Sequence, residues 1–168
     1  VIMKAGIIGG TGRMGQFFVP VFERAGYDVL VSGRKTALTN ADIARQCDLV
    51  ILSVPIRDTV RVIEEIAPLL ARNQLLCDLT SLKVRPVEAM LNSKANVVGL
   101  HPMFGPTVRS LKNQTIIVCP ARVEEHLLDR LTGVFRNEGA RCTPATAEEH
   151  DRMMAIVQVL NHLNTIAL

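Results

Sequence analysis

The stretch His101-Pro102-Met103-Phe104-Gly105-Pro106 follows the apolar run 97–100 directly, which places an imidazole at the end of a predicted strand. In an open parallel sheet, ligands bind at that end of the strands. Pro102 keeps His101 extended and prevents a helix from beginning there. Because histidine can accept or donate a proton near neutral pH, His101 is a candidate acid–base group. The alternative is a histidine that only packs within a loop.

A second motif is the glycine loop Gly10-Thr11-Gly12-Arg13-Met14-Gly15, which matches the pattern G-x-G-x-x-G. It lies between a predicted strand and a predicted helix. In that context the glycines allow a tight turn and a close approach of the backbone to a ligand, while the amides at the start of the helix can bind a pyrophosphate. The motif therefore predicts a dinucleotide site.

The end of the second predicted strand indicates which dinucleotide is preferred. An NAD site is expected to have an acid here for the ribose hydroxyl, but the sequence has Ser32, Gly33, Arg34 and Lys35. Hydrogen bonds from such cations to a 2′-phosphate contribute about 1.5–3 kcal/mol each. We therefore expect NADP, with NAD as a possible second cofactor. The alternative is a solvated Arg-Lys turn.

Other strand ends carry polar groups as well. Ser53-Val54-Pro55 follows the third predicted strand, and Thr80-Ser81-Leu82-Lys83 follows the fourth. Because parallel strands all end at one edge of a sheet, we expect these residues to line a common cleft with the glycine loop. Ser81 and His101 are expected to meet over the nicotinamide. Taken alone, Ser81 could instead cap the next helix, and Pro55 could simply turn the chain.

The elements that must position these residues alternate along the chain. Apolar strands are predicted over 4–8, 28–32, 49–53, 75–78, 97–100, 115–119 and 140–143. Helices are predicted over 13–24, 41–46, 58–70, 86–91 and 123–137, with a last, apolar one from 147 to 168. This alternation predicts an α/β fold with a doubly wound, mainly parallel sheet.

Composition narrows the function classes. The chain has 168 residues, 48% of them hydrophobic, which is enough to bury one core. Its net charge of +3 comes from scattered basic residues, and it has no Trp and one Tyr. This argues against nucleic acid as the main partner and suits a small anionic ligand. Without a membrane-length apolar run, a secretory signal or paired cysteines, we expect a cytoplasmic protein with free thiols, no metal site and no membrane contact.

Taken together, these motifs resemble prephenate dehydrogenase, an enzyme family of tyrosine biosynthesis. The resemblance includes the glycine loop, Ser53-Val54-Pro55, the segment 78–83, the His101 block, and Glu149-His150-Asp151 ahead of a helix with Gln158 and His162. It spans essentially the whole chain. Two departures stand out: Ser-Gly-Arg replaces the acid of NAD-dependent members, and the helical dimerisation domain of the family is absent beyond Leu168.

The resemblance implies a Rossmann-type dinucleotide-binding domain over 1–146 and, over 147–168, the first helix of a helical domain that makes a homodimer. The implied activity is NAD(P)-dependent oxidative decarboxylation of prephenate to 4-hydroxyphenylpyruvate. His101 matches the catalytic histidine, Ser81 a serine that orients the substrate hydroxyl, and His150 a histidine near the substrate. His150 could equally be a structural residue at a helix start.

Several points stay open at the level of sequence. The choice between prephenate and its amino analogue arogenate is one, and further domains or feedback regulation are others. We expect weak or no activity from the chain alone, because the cation for a substrate carboxylate lies elsewhere. Two other functions fit the cofactor motifs: another NADP oxidoreductase, such as a deazaflavin-dependent NADP reductase, in which the His101 block has no role, and a non-catalytic NADP-sensing module.

Overall fold

The computed structural model describes residues 2–167, so Val1 and Leu168, which the predicted domains include, lie outside the described part. Seven strands form one sheet, with helices on both of its faces. The strands are β1 (Lys4–Ile8), β2 (Asp28–Ser32), β3 (Leu49–Leu52), β4 (Leu75–Asp78), β5 (Asn96–Pro102), β6 (Thr115–Arg122) and β7 (Arg141–Pro144). The helices are α1 (Arg13–Arg24), α2 (Asn40–Gln46), α3 (Ile56–Ile66), α4 (Val84–Leu91), α5 (Glu125–Asn137) and α6 (Ala147–Ala167).

The strand order is β2-β1-β3-β4-β5-β6-β7. Strands β1 to β5 are parallel, β6 is antiparallel to β5, and β7 is parallel to β6. The direction reverses at β6 because the chain returns from β5 through a loop, and an antiparallel pair needs no crossover helix. The prediction of a doubly wound, mainly parallel α/β sheet is confirmed.

Two apolar layers cover the sheet. On one face, Ile7 and Ile51 pack with Phe18, Phe22 and Phe135 of helices α1 and α5. The other face packs against α2, α3 and α4, through residues such as Ile43, Ile63 and Met90. Adjacent residues of β1, Ile7 and Ile8, belong to different layers, as expected for a strand whose side chains alternate between two buried faces. This double burial explains why the strands read as continuous apolar runs.

Strand β5 is longer than predicted, and His101 lies within it rather than after it. His101 pairs with Ile117 of β6, and Pro102 pairs with Ile116. The antiparallel partner therefore extends β5 past the apolar run 97–100. Helix α3 also differs from the predicted 58–70: it begins at Ile56 and gives way after Ile66 to a 3-10 turn, Ala67–Leu69. Pro68 at the centre of this turn has no N–H to continue the helix.

Helix α6 begins with a reciprocal cap. The Glu149 amide donates to Thr146 Oγ1 at 3.0 Å, and the Thr146 amide donates to Glu149 Oε2 at 3.4 Å. Within the described part of this helix, only His150 is buried. Its large apolar residues are exposed: Met153, Ile156, Val157, Val159, Leu160, Leu163 and Ile166.

Two expectations from composition concern the cysteines and membrane-spanning helices. The cysteines are unpaired thiols: Cys47, Cys77 and Cys119 are buried, and Cys142 is half-buried. Among residues 2–167, no helix combines the length and apolar character needed to cross a bilayer.

Candidate active site

A cleft opens at the carboxyl ends of β1 and β3, where the connections run to opposite faces of the sheet. Phe18 of α1, which follows β1, packs on one face, and Val62 of α3, which follows β3, packs on the other. Ligands of doubly wound sheets bind at such switch points. The cleft has two adjoining parts, of about 690 and 430 Å³. Both are lined by Gly12, Ser53, Val54 and Pro55, as the sequence predicts for the common cleft.

The glycine loop begins one residue earlier than the motif. Gly9 has a φ of +78°, and a Cβ there would lie 2.3 Å from the Ser53 carbonyl oxygen. At the other end of the loop, a Cβ on Gly15 would lie 2.6 Å from the Gly10 Cα. Glycine at these two positions lets α1 begin directly against the end of β1. Gly9 is not among the residues predicted from the sequence, although Gly-Gly is a turn signal.

The start of helix α1 is suited to an anion. Gly12 is its N-cap residue, and no side chain caps it. The first-turn amides of Arg13, Met14 and Gly15 have no intrahelical partner, and such amides bind phosphate groups. Gln16 Nε2 donates to the Thr11 carbonyl at 2.7 Å and braces the loop. These features fit the pyrophosphate of a dinucleotide.

The larger part of the cleft is bordered by cations. Arg34 and Lys35 are exposed and line it, as predicted. Arg61 of α3 lines it as well, and sequence reasoning missed this residue because only the rotation of α3 reveals it. The described lining includes one carboxylate, Asp58, whose Oδ1 accepts from Arg61 at 3.2 Å. With that carboxylate already paired, the part retains an excess of positive charge.

Ser32, expected to offer its hydroxyl to the cofactor, does not line the cleft. Its side chain is fully buried, and its Oγ donates to Asn40 Oδ1 at 2.8 Å. Its carbonyl accepts from the amides of Gly9 and Gly10, at 2.9 and 3.2 Å. Ser32 therefore supports the glycine loop, and Asn40, which lines the cleft, presents the polar side chain instead.

The smaller part of the cleft lies between the glycine loop and the end of β4. Arg13, Met14, Thr80 and Ser81 line it, all of them predicted site residues. Thr80 is largely buried and its Oγ1 lies 2.6 Å from Asp78 Oδ2, so it shapes the wall. Ser81 is exposed, and the described structure gives no hydrogen bond between it and His101. The expected meeting of the two residues therefore stays a prediction about the complex with ligands.

His101 instead heads a chain of hydrogen bonds into helix α6. Its Nδ1 lies 2.7 Å from His150 Nε2, and the two rings meet edge to face with centroids 4.9 Å apart. His150 Nδ1 lies 2.7 Å from Asp151 Oδ1. Asp151 also accepts from the amides of Lys83 and Val84, at 2.8 and 3.0 Å, and so caps the start of α4.

The hydrogen bonds from His101 through His150 to Asp151 determine which nitrogen of each ring carries a proton. Partial burial raises the pKa of Asp151, but hydrogen bonds from His150 and from the amides of Val84 and Lys83 lower it overall, so the group is a carboxylate. A carboxylate only accepts, and His150 Nδ1 must then carry the proton. When the His150 ring is neutral, its Nε2 is an acceptor, and His101 Nδ1 then donates to it. The free Nε2 of His101 is therefore an acceptor.

The electrostatics keep His101 in that form. Burial, the neighbouring His150 and the Lys83 ammonium lower the pKa of His101 to about 4, against a smaller opposing effect of Asp151. At neutral pH the ring is uncharged and can take a hydrogen bond or a proton. His150, predicted to lie near the substrate, is fully buried with its ring nitrogens bonded to His101 and Asp151. It therefore supports His101, and a contact between His150 and a substrate stays a prediction.

Asp151 was quoted in the sequence motif, but its two tasks were not foreseen. They depend on how α6 packs on α4, which sequence spacing does not reveal. Across residues 2–167, no three His, Cys, Asp or Glu side chains converge in a way that would hold a metal ion. The uncapped start of α1 and the cations of the cleft are suited to binding a dinucleotide, and the position of His101 is suited to acid–base chemistry.

Comparison with known proteins gives a family match. Residues 30–144 match the model of the prephenate dehydrogenase nucleotide-binding domain. The T-protein of Haemophilus influenzae is 36% identical over 167 residues, which cover 99% of this chain and 44% of that protein. A probable arogenate/prephenate dehydrogenase of Methanocaldococcus jannaschii is 35% identical over 181 residues, covering 96% and 41%. The chain thus spans less than half the length of these relatives.

A solved structure shares the fold. Prephenate dehydrogenase from A. aeolicus, in complex with hydroxyphenyl propionate and NAD+, matches with a TM-score of 0.73 and 20% identity. The match covers 96% of this chain and 70% of that one. At this identity the likeness supports the Rossmann-type fold alone.

Proposed function

This chain belongs to the prephenate dehydrogenase family, and on that premise we propose that it is the dinucleotide-binding part of an enzyme that converts prephenate to 4-hydroxyphenylpyruvate. The observation that carries the proposal is the neutral His101, whose free Nε2 is fixed as an acceptor by His150 and Asp151. Among the alternatives, a reductase of other chemistry or a sensing module would have no use for an acceptor held in this way.

The chemistry is an oxidation followed by loss of carbon dioxide. When bound, the nicotinamide ring accepts the hydride from C4 of the substrate. The C4 hydroxyl donates its hydrogen bond to His101 Nε2, and as the hydride leaves, this hydroxyl becomes far more acidic than an imidazolium. His101 can therefore take its proton despite a low pKa in the free protein. Such proton transfer contributes about 100- to 10,000-fold.

The second half of the reaction is the loss of the ring carboxylate as carbon dioxide, whose bonding electrons make the ring aromatic. The C4 oxygen is then a phenolate, and the proton held by His101 can return to it. The reaction needs no net proton. Ser81, exposed in the smaller part of the cleft, is proposed to orient the same hydroxyl.

For the cofactor we propose NADP, with NAD as a weaker alternative. Arg34, Lys35 and Arg61 border the larger part of the cleft, and its carboxylate, Asp58, is paired with Arg61. This charge favours a 2′-phosphate over a bare ribose. The proposed ligands of the pyrophosphate are the first-turn amides of α1.

We further propose that α6 is the first helix of a helical domain through which two copies associate. Seven large apolar side chains of this helix are exposed. Exposed apolar surface of this extent marks an interface. The substrate is a small anion, prephenate or arogenate, and we propose that the cation for its carboxylate belongs to that domain. The cytoplasmic location stays a prediction of the sequence.

The test is a turnover assay on the complete polypeptide with prephenate and arogenate, each with NADP and with NAD. We expect reduced cofactor to form with at least one substrate, and 4-hydroxyphenylpyruvate to form from prephenate. Cofactor binding without turnover of either substrate would favour the sensing module. Turnover that persists unchanged in His101→Asn would favour a different chemistry.

A further inference from the structure

We infer that Lys83, which lines neither part of the cleft, is a positioning residue that holds His101 from two sides. Its ammonium fixes strand β5 next to His101, and its backbone amide fixes Asp151 at the far end of the hydrogen-bond chain. The inference rests on the proposed role of His101 as acceptor.

The contacts of Lys83 carry this inference. Its side chain is fully buried, and its Nζ donates to the carbonyl of Leu100, the residue before His101, at 2.6 Å. The same Nζ donates to Asp78 Oδ2 at 2.5 Å. Its backbone N–H donates to Asp151 Oδ1 at 2.8 Å, and that oxygen is the one 2.7 Å from His150 Nδ1. A single residue thus joins both ends of the chain from His101 to Asp151.

Stability does not explain the buried ion pair between Lys83 and Asp78. Taking two charges out of water costs several kcal/mol per ion, and apolar residues of the same volume often serve a fold as well. Here the cost is increased, because Asp78 Oδ1 is buried without a hydrogen-bond partner. Strand β5 also makes room for the pair: a Cβ on Gly99 would lie 3.1 Å from Lys83 Cδ and 3.5 Å from Asp78 Oδ1. Because burying the Lys83–Asp78 ion pair costs free energy, its presence next to His101 indicates a functional role.

The functional reason is the positive charge of Lys83 as well as the position that its contacts give to His101. Lys83, the residue before α4, and His150 and Asp151 from α6 act electrostatically on His101, and Asp78 from β4 is bonded to Lys83. On β6, Ile117 lies opposite His101. The nearby Cys119 is an uncharged thiol, because burial raises its pKa to about 11. Lys83 is therefore the cation that opposes protonation of His101, while its contacts keep the ring in place.

The experiment compares the complete polypeptide with the double variant Lys83→Met/Asp78→Asn, which removes both charges and leaves no unpaired carboxylate. Histidine ring resonances, assigned with His101→Asn and followed by NMR without cofactor, give the pKa of His101. We expect this pKa to rise by about one unit, with a kcat roughly ten- to a hundredfold lower and an unchanged Kd for NADP. The acid limb of kcat/KM should move to higher pH by the same amount.

A second variant, Lys83→Arg, keeps the charge but changes the reach of the side chain. It should keep the pKa of His101 near that of the parent while lowering kcat, which separates charge from position. If the double variant does not fold, Lys83→Arg alone tests the positioning role of Lys83 through kcat. The inference is overturned if folded variants that still bind NADP keep both the pKa of His101 and kcat. If the parent protein turns over neither prephenate nor arogenate, the proposed function fails, whereas the NMR titration still tests the effect of Lys83 on His101.

Discussion

The Nδ1 of His101, on strand β5, lies 2.7 Å from the Nε2 of His150, on helix α6, although the two residues are 49 positions apart. Since His150 is held in turn by Asp151, the acceptor nitrogen of His101 is selected by the fold and not by the ligand. This arrangement resembles in principle an acid–histidine pair that fixes the tautomer of a catalytic base, with a second histidine in line.

Replacing His101 by Asn should lower kcat by about 100- to 10,000-fold with little change in KM, because the amide cannot take the hydroxyl proton. Steady-state kinetics with prephenate measures this. The matched control is His126→Asn, since the His126 side chain is 65% exposed on α5. The control should behave as the parent protein, and equal turnover by both variants would contradict the role of His101.

The lowered pKa of His101 predicts an unusual pH dependence. Protonation of an ordinary histidine, with a pKa of 6.5, would reduce kcat/KM below about pH 6.5. Because the pKa of His101 is about 4, its ring stays an acceptor down to about pH 4. We therefore expect that protonation of His101 gives no limb in kcat/KM between pH 5 and 7. An inflection near pH 6.5 that disappears in a protein carrying His101→Asn would show that the ring is not shielded.

The same shift has a consequence for stability, with a definite sign. Between about pH 6.5 and 4 the unfolded chain binds a proton at His101 while the folded protein does not. The free energy of unfolding should therefore fall as the pH falls through this window. Denaturant titrations at pH 7 and 4.5 measure the difference, which should be smaller in His101→Asn.

Asp151→Asn should disturb the chain at its far end. An amide can present its N–H₂ group to His150 Nδ1 and reverse the tautomers, so that His101 Nε2 becomes a donor. We expect kcat to fall at least about 100-fold, since a wrong tautomer in a comparable pair costs about 10,000-fold. The neighbouring Glu148→Gln, exposed on the same turn, is the control. Parent-like kinetics in Asp151→Asn would remove the carboxylate from the mechanism.

Much of the fold follows from sequence pattern alone. Alternating apolar strands and helices predict the doubly wound sheet, and the rule that parallel strands end at one edge brings Gly12, Ser53 and Ser81 to one cleft. The direction of β6 was not predicted, because the loop before it carries no signal that separates a hairpin-like return from a crossover.

Side-chain detail at the site could be predicted less well. The hydroxyl of Ser32 stands at a strand end, where a shift of one residue exchanges the two faces of the sheet, and the structure turns it away from the cleft. His150 and Arg61 depend on how α6 and α3 are rotated against the sheet. Such rotations follow from packing and caps, above all the cap that Asp151 gives α4.

The cofactor prediction is tested at Arg34. Loss of one charge-assisted hydrogen bond to a 2′-phosphate costs about 1.5–3 kcal/mol, which is about tenfold or more in Kd. Arg34→Ala should therefore weaken NADP by this factor and leave NAD nearly unchanged, as measured by fluorescence titration. Arg45→Ala, on the exposed side of α2 and outside the cleft lining, should change neither. Equal weakening of both dinucleotides by Arg34→Ala would argue against recognition of the phosphate.

The glycine loop gives a prediction in which the same substitution has opposite signs at two positions. Gly9→Ala puts a Cβ 2.3 Å from the Ser53 carbonyl oxygen, in a backbone with a φ of +78°. We therefore expect the free energy of unfolding to fall by about 1–3 kcal/mol or more. Both dinucleotides should also bind more weakly. At Gly133, within α5, a Cβ meets no atom within 4 Å. Gly133→Ala should raise the free energy of unfolding by about 0.5–1 kcal/mol, because alanine is the better helix former. Denaturant unfolding and NADP titration of the two variants check both signs. If Gly9→Ala bound NADP as tightly as the parent, the loop geometry would not be what brings the amides of α1 to the pyrophosphate.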